Sequence, residues 1–440
     1  MSAETQRVQR LYELHKQLST VTAKMNSRGF YFIEENRACM ESMLHQEMEE
    51  SIAHWRNVVG VGDNVPCTPT SMRAAIFSRH KRANIPCLNM PDPVNIPDFT
   101  NPTKECISIK KSPLLRLIVS PHATPECIRI VDAWWHFKKT EKRLGFVQSE
   151  DLLHSIDPED NRCRAGFNSC GTDTGRFTCS VPNLFQIPEI LRYMFGVDVG
   201  RRLVHADKKQ MEIRVMACVA DDKVLQERIL SGKDLYETEA RGYYNIPDDA
   251  PVRKQLRQGA KIGRLARQYG AQEKACFSQA IAADRTMTIS RIRAIITLFD
   301  RTYHRTVSYW KEETERVAKQ GYSESRLLGR RRHYPRMPDL AEIANWPIQA
   351  TASDIANQEI IELDARLDRE CPDAFLINHV YDSFDVDCPE DKVDQVTKIM
   401  REVSHRNYTI NGIDFPFGID LKVTSNQTLE AWKGDTWASV

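Results

Sequence analysis

The stretch 205-HADKKQMEIRVMAC-218 decides how the chain is read. The residues just before it, RLVHA over 202–206, are apolar enough for a buried strand. That strand stops at Asp207, passes two lysines and gives way to a helix with Glu212 and Arg214 in its early turns. A carboxylate at such a strand end has two readings. It caps the following helix by accepting a hydrogen bond from an unpaired backbone N–H, or it belongs to a site. The stretch alone leaves both open.

Composition narrows the class. The chain has 440 residues, 41% hydrophobic and 28% charged, which suits two or three globular domains rather than a disordered chain. It carries no run of 18 apolar residues, and its first residues, MSAETQRV, lack the basic and apolar segments of a secretion signal, so an intracellular, cytoplasmic place is expected. The 12 cysteines are scattered, and the closest two, Cys163 and Cys170, stand seven residues apart, too far for a paired metal-ligand motif. Buried, reduced thiols are the expectation.

The net charge of +1 conceals a strong polarity. Between Pro251 and Pro335 there are 19 Lys and Arg against 7 Asp and Glu, leaving 42 against 53 in the rest. A basic block of this size is either a solvated helical face or a surface that meets phosphates. The acidic remainder is suited to hold divalent cations.

Periodicity predicts helices over residues 1 to about 60 and 124 to 145, separated by a stretch with Pro86, Pro91, Pro93, Pro97 and Pro102 that reads as loop. Short strands follow from Gly166, and a turn is expected at GRRRHYP. A helix is expected from about Ala341 to Arg369, then a hairpin in FLINHVYDSFDVDCP. The hairpin places Asp382 at a tight turn, where Asp is common for purely local reasons. Two such carboxylates on separate strand ends can bridge two Mg²⁺ ions roughly 3.5 to 4 Å apart. Over 249–270, DAPVRKQLRQGAKIGRLARQYG predicts a helix with Asp249 as N-cap and Gly270 as stop. Its residues Arg257, Lys261, Leu265 and Tyr269 recur every fourth position and share one face. Cations there suit a triphosphate, and the apolar and aromatic groups suit a base; an ordinary amphipathic surface helix is the other reading. Gly259 and Gly263 each cost about 1 kcal/mol inside a helix, which predicts something packed close to the backbone.

Five segments, TGRFTCSVPNLFQIP (174–188), DKKQMEIR (207–214), RQGAKIGRLARQYG (257–270), NWPIQATASDI (345–355) and HVYDSF (379–384), stand in the order of the polymerase motifs of A-family DNA polymerases. The chain resembles the polymerase module of that family from a divergent, phage-like branch, well over about 160–440 and weakly at MNSRGFYFIEENRACMESML near the N-terminus. The resemblance implies an α+β right-hand fold: a helical thumb-like region over 1–160, an antiparallel-sheet palm over 161–248 and 336–440, and helical fingers over 249–335. It implies a template-directed DNA polymerase, a nucleotidyltransferase that extends a primer 3′-OH with dNTPs by a two-metal mechanism in DNA replication. The N-terminal part shows no Asp-x-Glu strand of the kind a proofreading nuclease would need.

Position by position, the resemblance implies that Asp207, Asp382 and the carbonyl of Lys208 hold two Mg²⁺ ions, with Mn²⁺ as an alternative. Arg257 and Lys261 would grip the incoming triphosphate, Lys261 also protonating the leaving pyrophosphate. Gln210, Tyr236, Leu265 and Tyr269 would complete the dNTP site, and Glu212 would block a ribose 2′-OH. Arg176, Asn183, Asn345, Gln349 and Tyr381 would track the primer-template DNA. The expected partners are that DNA, dNTPs, and a separate exonuclease or processivity factor; no membrane is expected, and the chain reads as a monomer. Several positions depart from the family's pattern: Lys208 and Lys209 replace an aromatic and a small residue, Ser383 a third acid, Leu265 an aromatic, and Tyr236 and Tyr381 two histidines. A single-subunit RNA polymerase and an inert DNA-binding relative are the competing readings. Glu212 and the TGR…PNL…IP segment oppose the first, and the joint presence of Asp207, Asp382, Arg257 and Lys261 opposes the second.

Overall fold

The computed structural model describes residues 2–91, 95–98, 101–424 and 437–439. The chain folds as two compact units, one made of Met1–Ala38, Gln148–Lys233 and Asp300–Val440, the other of Cys39–Val147 and Asp234–Phe299. These units divide the chain differently from the boundaries expected of it. Residues 39–147 share a core with 234–299, while 1–38 belong with the sheet.

The first unit is organised by an antiparallel sheet whose central strand is Arg201–Lys208, flanked by Ser383–Pro389 on one side and Ile419–Thr424 on the other, with Phe375–Val380 beyond the former. Strand alternation sorts its rungs by polarity. Phe384, Ala206 and Leu421 form one rung and Val386, Val204 and Val423 another, all six buried. The polar rung Asp385, His205, Lys422 lies between them, and the polar rung Ser383, Asp207, Asp420 lies just beyond Ala206. Two helices cover the apolar side: Lys208, which points the same way as Ala206, reaches Glu359 of the long helix Leu340–Glu370 and the carbonyl of Ser404 at the end of Val393–Ser404. One face of the sheet is thereby left for chemistry.

The second unit is helical. Trp55, Phe77, Leu114, Val131 and Trp134 from its N-terminal part pack in one apolar cluster with Ala266, Ala280, Ile281, Ile292 and Ile295 from its later part. The Pro-rich stretch is not simply loop, because Asn95–Asp98 pairs antiparallel with Asn101–Ile107. A two-stranded ribbon has only edges, so Pro97 and Pro102 cost it few ladder bonds. Pro86 and Pro91 do lie outside regular structure, and Pro93 lies outside the described residues. The basic helix begins at Lys254 with Arg253 as an N-cap that makes no side-chain bond, so Asp249 does not cap it. Pro251 disfavours helical geometry in the residue before it, which delays the start by a turn.

Gly259 meets the expectation of close packing: a Cβ built there would lie 2.8 Å from the hydroxyl of Tyr244, which is buried without a hydrogen-bond partner among the described residues. At Gly263 the nearest atom, Ile295 Cγ2, is at an ordinary 3.7 Å. Replacing Gly259 by Ala gains about 1 kcal/mol of helix propensity but forces a rigid ring to move, an overpacking cost of about 1–3 kcal/mol. Gly259→Ala is therefore expected to lower the chemical-denaturation midpoint, and adding Tyr244→Phe should restore it. A midpoint unchanged in the single variant would show that the helix has slack at this position.

Candidate active site

Asp207 does not cap the helix that follows. That helix, Met211–Val219, starts after Gln210, which adopts the left-handed conformation (φ 53°, ψ 43°) and makes no side-chain cap bond. Asp207 remains on the strand, exposed, opposite Ser383 in the neighbouring strand. Asp382 lies one residue earlier, in the two-residue turn between Val380 and Ser383, and the Lys208 N–H donates to its carbonyl at 3.2 Å. Sheet register and this backbone bond thus bring the two carboxylates together. Tyr381, just before Asp382, is also left-handed at φ 57°. Such non-glycine geometry costs about 1–3 kcal/mol and persists where surrounding contacts impose it.

Burial, and next the charge of Asp207, push the Asp382 carboxyl up to about 6. A carboxyl raised by a neighbouring carboxylate in this way marks a site that a divalent cation would relieve. No group of three or more His, Cys, Asp or Glu suited to a metal occurs among the described residues, so the fit rests on two carboxylates and backbone oxygen. Mg²⁺ tolerates this, because water and substrate oxygens complete its shell.

Arg176, Glu212, Tyr381 and Asp382, with Met211, Ala352 and Ser353, line a cavity of about 210 Å³. The Arg176 guanidinium pairs with Glu212 and stacks 5.0 Å from the Tyr381 ring centroid. Phe185, two residues after Asn183, lies 6.0 Å from the same ring, and Asn183 itself caps a short turn through the N–H of Phe185. On the long helix, Asn345, Gln349 and Ser353 are spaced by four and fall on one side. The buried oxygens of Asn345 and Ser353 have no hydrogen-bond partner among the described residues. These are groups able to meet a polar ligand.

In the second unit, the structure gathers three of the expected nucleotide ligands. Arg257 and Lys261 each lie 5.4 Å from the Tyr236 ring centroid, and Asp234 holds the Arg257 guanidinium at 2.6 and 3.1 Å. Leu265 and Tyr269 are half-buried like Arg257 and Lys261, whereas Arg264 is fully buried and bonds Glu239 at 2.7 Å. The helix therefore has a cationic ligand-ready face and a second, interior face locked by an ion pair.

Two features escaped sequence reasoning. Asp385 sits on the same sheet face as Ser383, held at 2.7 Å by both His205 Nδ1 and Asn378 Nδ2. Period-two alternation in DSFDVD and VHAD was the signal that places this acid beside the site. The other is Lys208, whose side chain is turned inward to a buried partner on the long helix.

The sequence profile described as "DNA polymerase family A" matches residues 89–430. The chain is 29% identical over 320 residues to a "DNA polymerase I, thermostable" of Thermus thermophilus, covering 69% of this chain and 35% of that one. It is 28% identical over 309 residues to the protein of the same name from Thermus filiformis, covering 67% and 36%. The chain thus spans about a third of the length of these relatives. Among solved structures it is similar to the "POL domain of Pol1 from M. smegmatis complex with DNA primer-template and dNTP", with TM-score 0.76 and 20% identity over 95% of this chain and 70% of that one. That likeness shows the α+β fold. No helix among the described residues is long and apolar enough to cross a membrane.

The inward turn of Lys208 has a measurable consequence. Its ammonium bonds Glu359 Oε1 at 2.5 Å and the Ser404 carbonyl at 2.7 Å, and Tyr408 donates to the same Glu359 oxygen at 2.8 Å. The Lys208 and Glu359 side chains are 1% and 0% exposed. Removing one partner of such a pair strands the other charge, at a cost of about 3–5 kcal/mol, whereas replacing both by apolar groups is often neutral. Glu359→Ala is expected to show that loss in chemical denaturation, and Lys208→Met with Glu359→Leu to recover most of it. Equal loss in the single and double variants would mean that packing rather than charge governs this position.

Proposed function

The chain belongs to DNA polymerase family A, and on that premise we propose that it is a DNA-directed DNA polymerase that extends a primer 3′-hydroxyl with dNTPs. The observation that carries the reading is the pairing of Asp207 and Asp382 across adjacent strands with Glu212 and Arg176 beside them. Two Mg²⁺ ions held by Asp207, Asp382 and the Lys208 carbonyl would supply an activated attacking oxygen and a neutralised leaving group. Arg257 and Lys261 hold the triphosphate, and the Lys261 ammonium gives a proton to the departing pyrophosphate. Gln210, Tyr236, Leu265 and Tyr269 line the nucleotide, with Tyr269 against the templating base. Arg176, Asn183, Tyr381, Asn345 and Gln349 contact the primer-template. Glu212, next to Asp382, favours deoxyribose over ribose, which separates this reading from an RNA polymerase. Residues 1–165 are assigned no proofreading nuclease; shortening of a labelled mismatched primer by this chain would contradict this.

Asp207→Asn and Asp382→Asn are each expected to reduce primer extension to a few per cent or less while primer-template affinity, read by fluorescence anisotropy, stays near wild type. Extension well above that level in either variant refutes the metal assignment.

Sugar selection gives two further outcomes. Glu212→Ala should raise the ratio of ribonucleotide to deoxynucleotide incorporation by roughly tenfold to a hundredfold, the equivalent of about 1–3 kcal/mol for an unpaired buried polar group. An unchanged ratio removes Glu212 from the role. The resemblance implies an aromatic at Leu265, where a ring hydroxyl replaces the hydrogen bond that a dideoxynucleotide lacks. The wild-type protein is accordingly expected to discriminate against chain terminators, and Leu265→Tyr to erase most of the difference. An active Tyr variant with an unaltered ratio would place Leu265 away from the sugar.

A further inference from the structure

The second unit carries a cavity of about 670 Å³ that none of the roles above uses. It opens between the helices Pro69–Ile76, Lys111–Ile118 and Pro125–Val147, with Arg285 on a fourth side. Its lining includes Arg73, Lys110, Lys111, Lys138, Lys139 and Arg285 together with Trp134 and Trp135, and no acidic side chain. Arg285 is paired with Asp132 and Lys138 with Glu141, but the remaining cations around the cavity repel one another unless an anion joins them.

The aromatic groups are arranged with the cations rather than apart from them. Arg285 lies 5.3 Å from the Trp135 ring centroid, and Asp132 grips both ends of its guanidinium at 2.5 and 2.9 Å. The guanidinium lies over the indole and the two together form a platform at the cavity wall. Lys138 lies 5.7 Å from the Trp134 ring. The Trp135 indole N–H is enclosed and has no acceptor among the described residues. Lys110, Lys111 and Lys139 are exposed, and no acidic partner holds them among the described residues.

We propose that this cavity binds single-stranded DNA, with phosphates on Lys110, Lys111 and Lys139 and an unstacked base on the Arg285–Trp135 platform. A duplex offers phosphates but keeps its bases stacked, whereas a single strand offers both, and base stacking on aromatic or guanidinium planes contributes about 1–3 kcal/mol per base. An acidic peptide would satisfy the lysines and leave the platform unused. The cavity lies on the same compact unit as Tyr269, and its occupant is the unpaired part of the template strand. That identification rests on the polymerase reading; the single-strand binding does not.

The test compares two primer-templates of identical duplex, one with a long 5′ template overhang and one with a short overhang, together with free oligodeoxythymidylate. The variant Lys110→Glu with Lys111→Glu changes two exposed side chains. It is expected to bind the oligonucleotide and the long-overhang substrate at least about tenfold more weakly, to lose about 1.4 from the salt slope for two phosphate contacts, and to bind and extend the short-overhang substrate like wild type. Iodouracil placed in the overhang should photocrosslink to the peptide containing Trp135. Equal loss on both substrates, no loss on either, crosslinking confined to other peptides, or competition by polyglutamate as effective as by oligodeoxythymidylate would each overturn the proposal. If oligonucleotide binding behaves as expected but no substrate is extended, the cavity assignment stands and the polymerase reading fails.

Discussion

Two carboxylates that repel each other are held side by side, and much of the first unit serves that constraint. The register that sets Ser383 opposite Asp207, and the bond from the Lys208 N–H to the Asp382 carbonyl, hold the backbone of the two residues side by side. The cost appears in the raised Asp382 carboxyl, and the backbone is left-handed at nearby Gln210 and Tyr381. Structures that store such strain do so where a ligand recovers it.

What resists the strain lies behind the sheet. The ammonium of Lys208 and the carboxylate of Glu359 meet in a region almost closed to water, with Tyr408 bonded to the same carboxylate and Arg406 bonded in turn to Tyr408 and Glu362. Burial alone would drive Lys208 toward its neutral form and Glu359 toward its protonated form, and each partner's charge opposes that. The residue next to Asp207 is therefore anchored in the opposite direction, since consecutive side chains leave opposite faces of a strand. One strand carries Asp207 on one face and its own tether on the other. The second unit repeats this economy on a helix: Arg257 and Lys261 look outward over Tyr236, while Arg264 is locked inside against Glu239.

Much of this was legible in the sequence. The strand ending at Asp207, the hairpin turn at Asp382, the long helix after Asp339 and the four-residue ladder Arg257, Lys261, Leu265, Tyr269 all follow from period-two or period-3.6 spacing, which is local and survives translation into structure. The five ordered motifs identified the family, and the tight approach at Gly259 was foreshadowed by the cost of a glycine inside a helix. Less legible were features set by a competing local preference. Asp249 has the chemistry of a cap, but Pro251 moves the helix start to Lys254. The prolines near 97 and 102 read as loop, yet an edge-only ribbon accepts them.

The sequence by itself determined the elements, the family and the chemical types available at each site, because these depend on residue identity and short-range spacing. Tertiary structure alone decided which groups face each other. Nothing near Lys208 in the chain announces Glu359, 151 residues away, and nothing in HADKK shows that Asp385 and Lys422 will complete a rung with His205. Likewise only packing unites residues 39–147 with 234–299 into one apolar core and sets six cations around two tryptophans. Such contacts are fixed by burial and by the register of distant strands, neither of which a local pattern encodes.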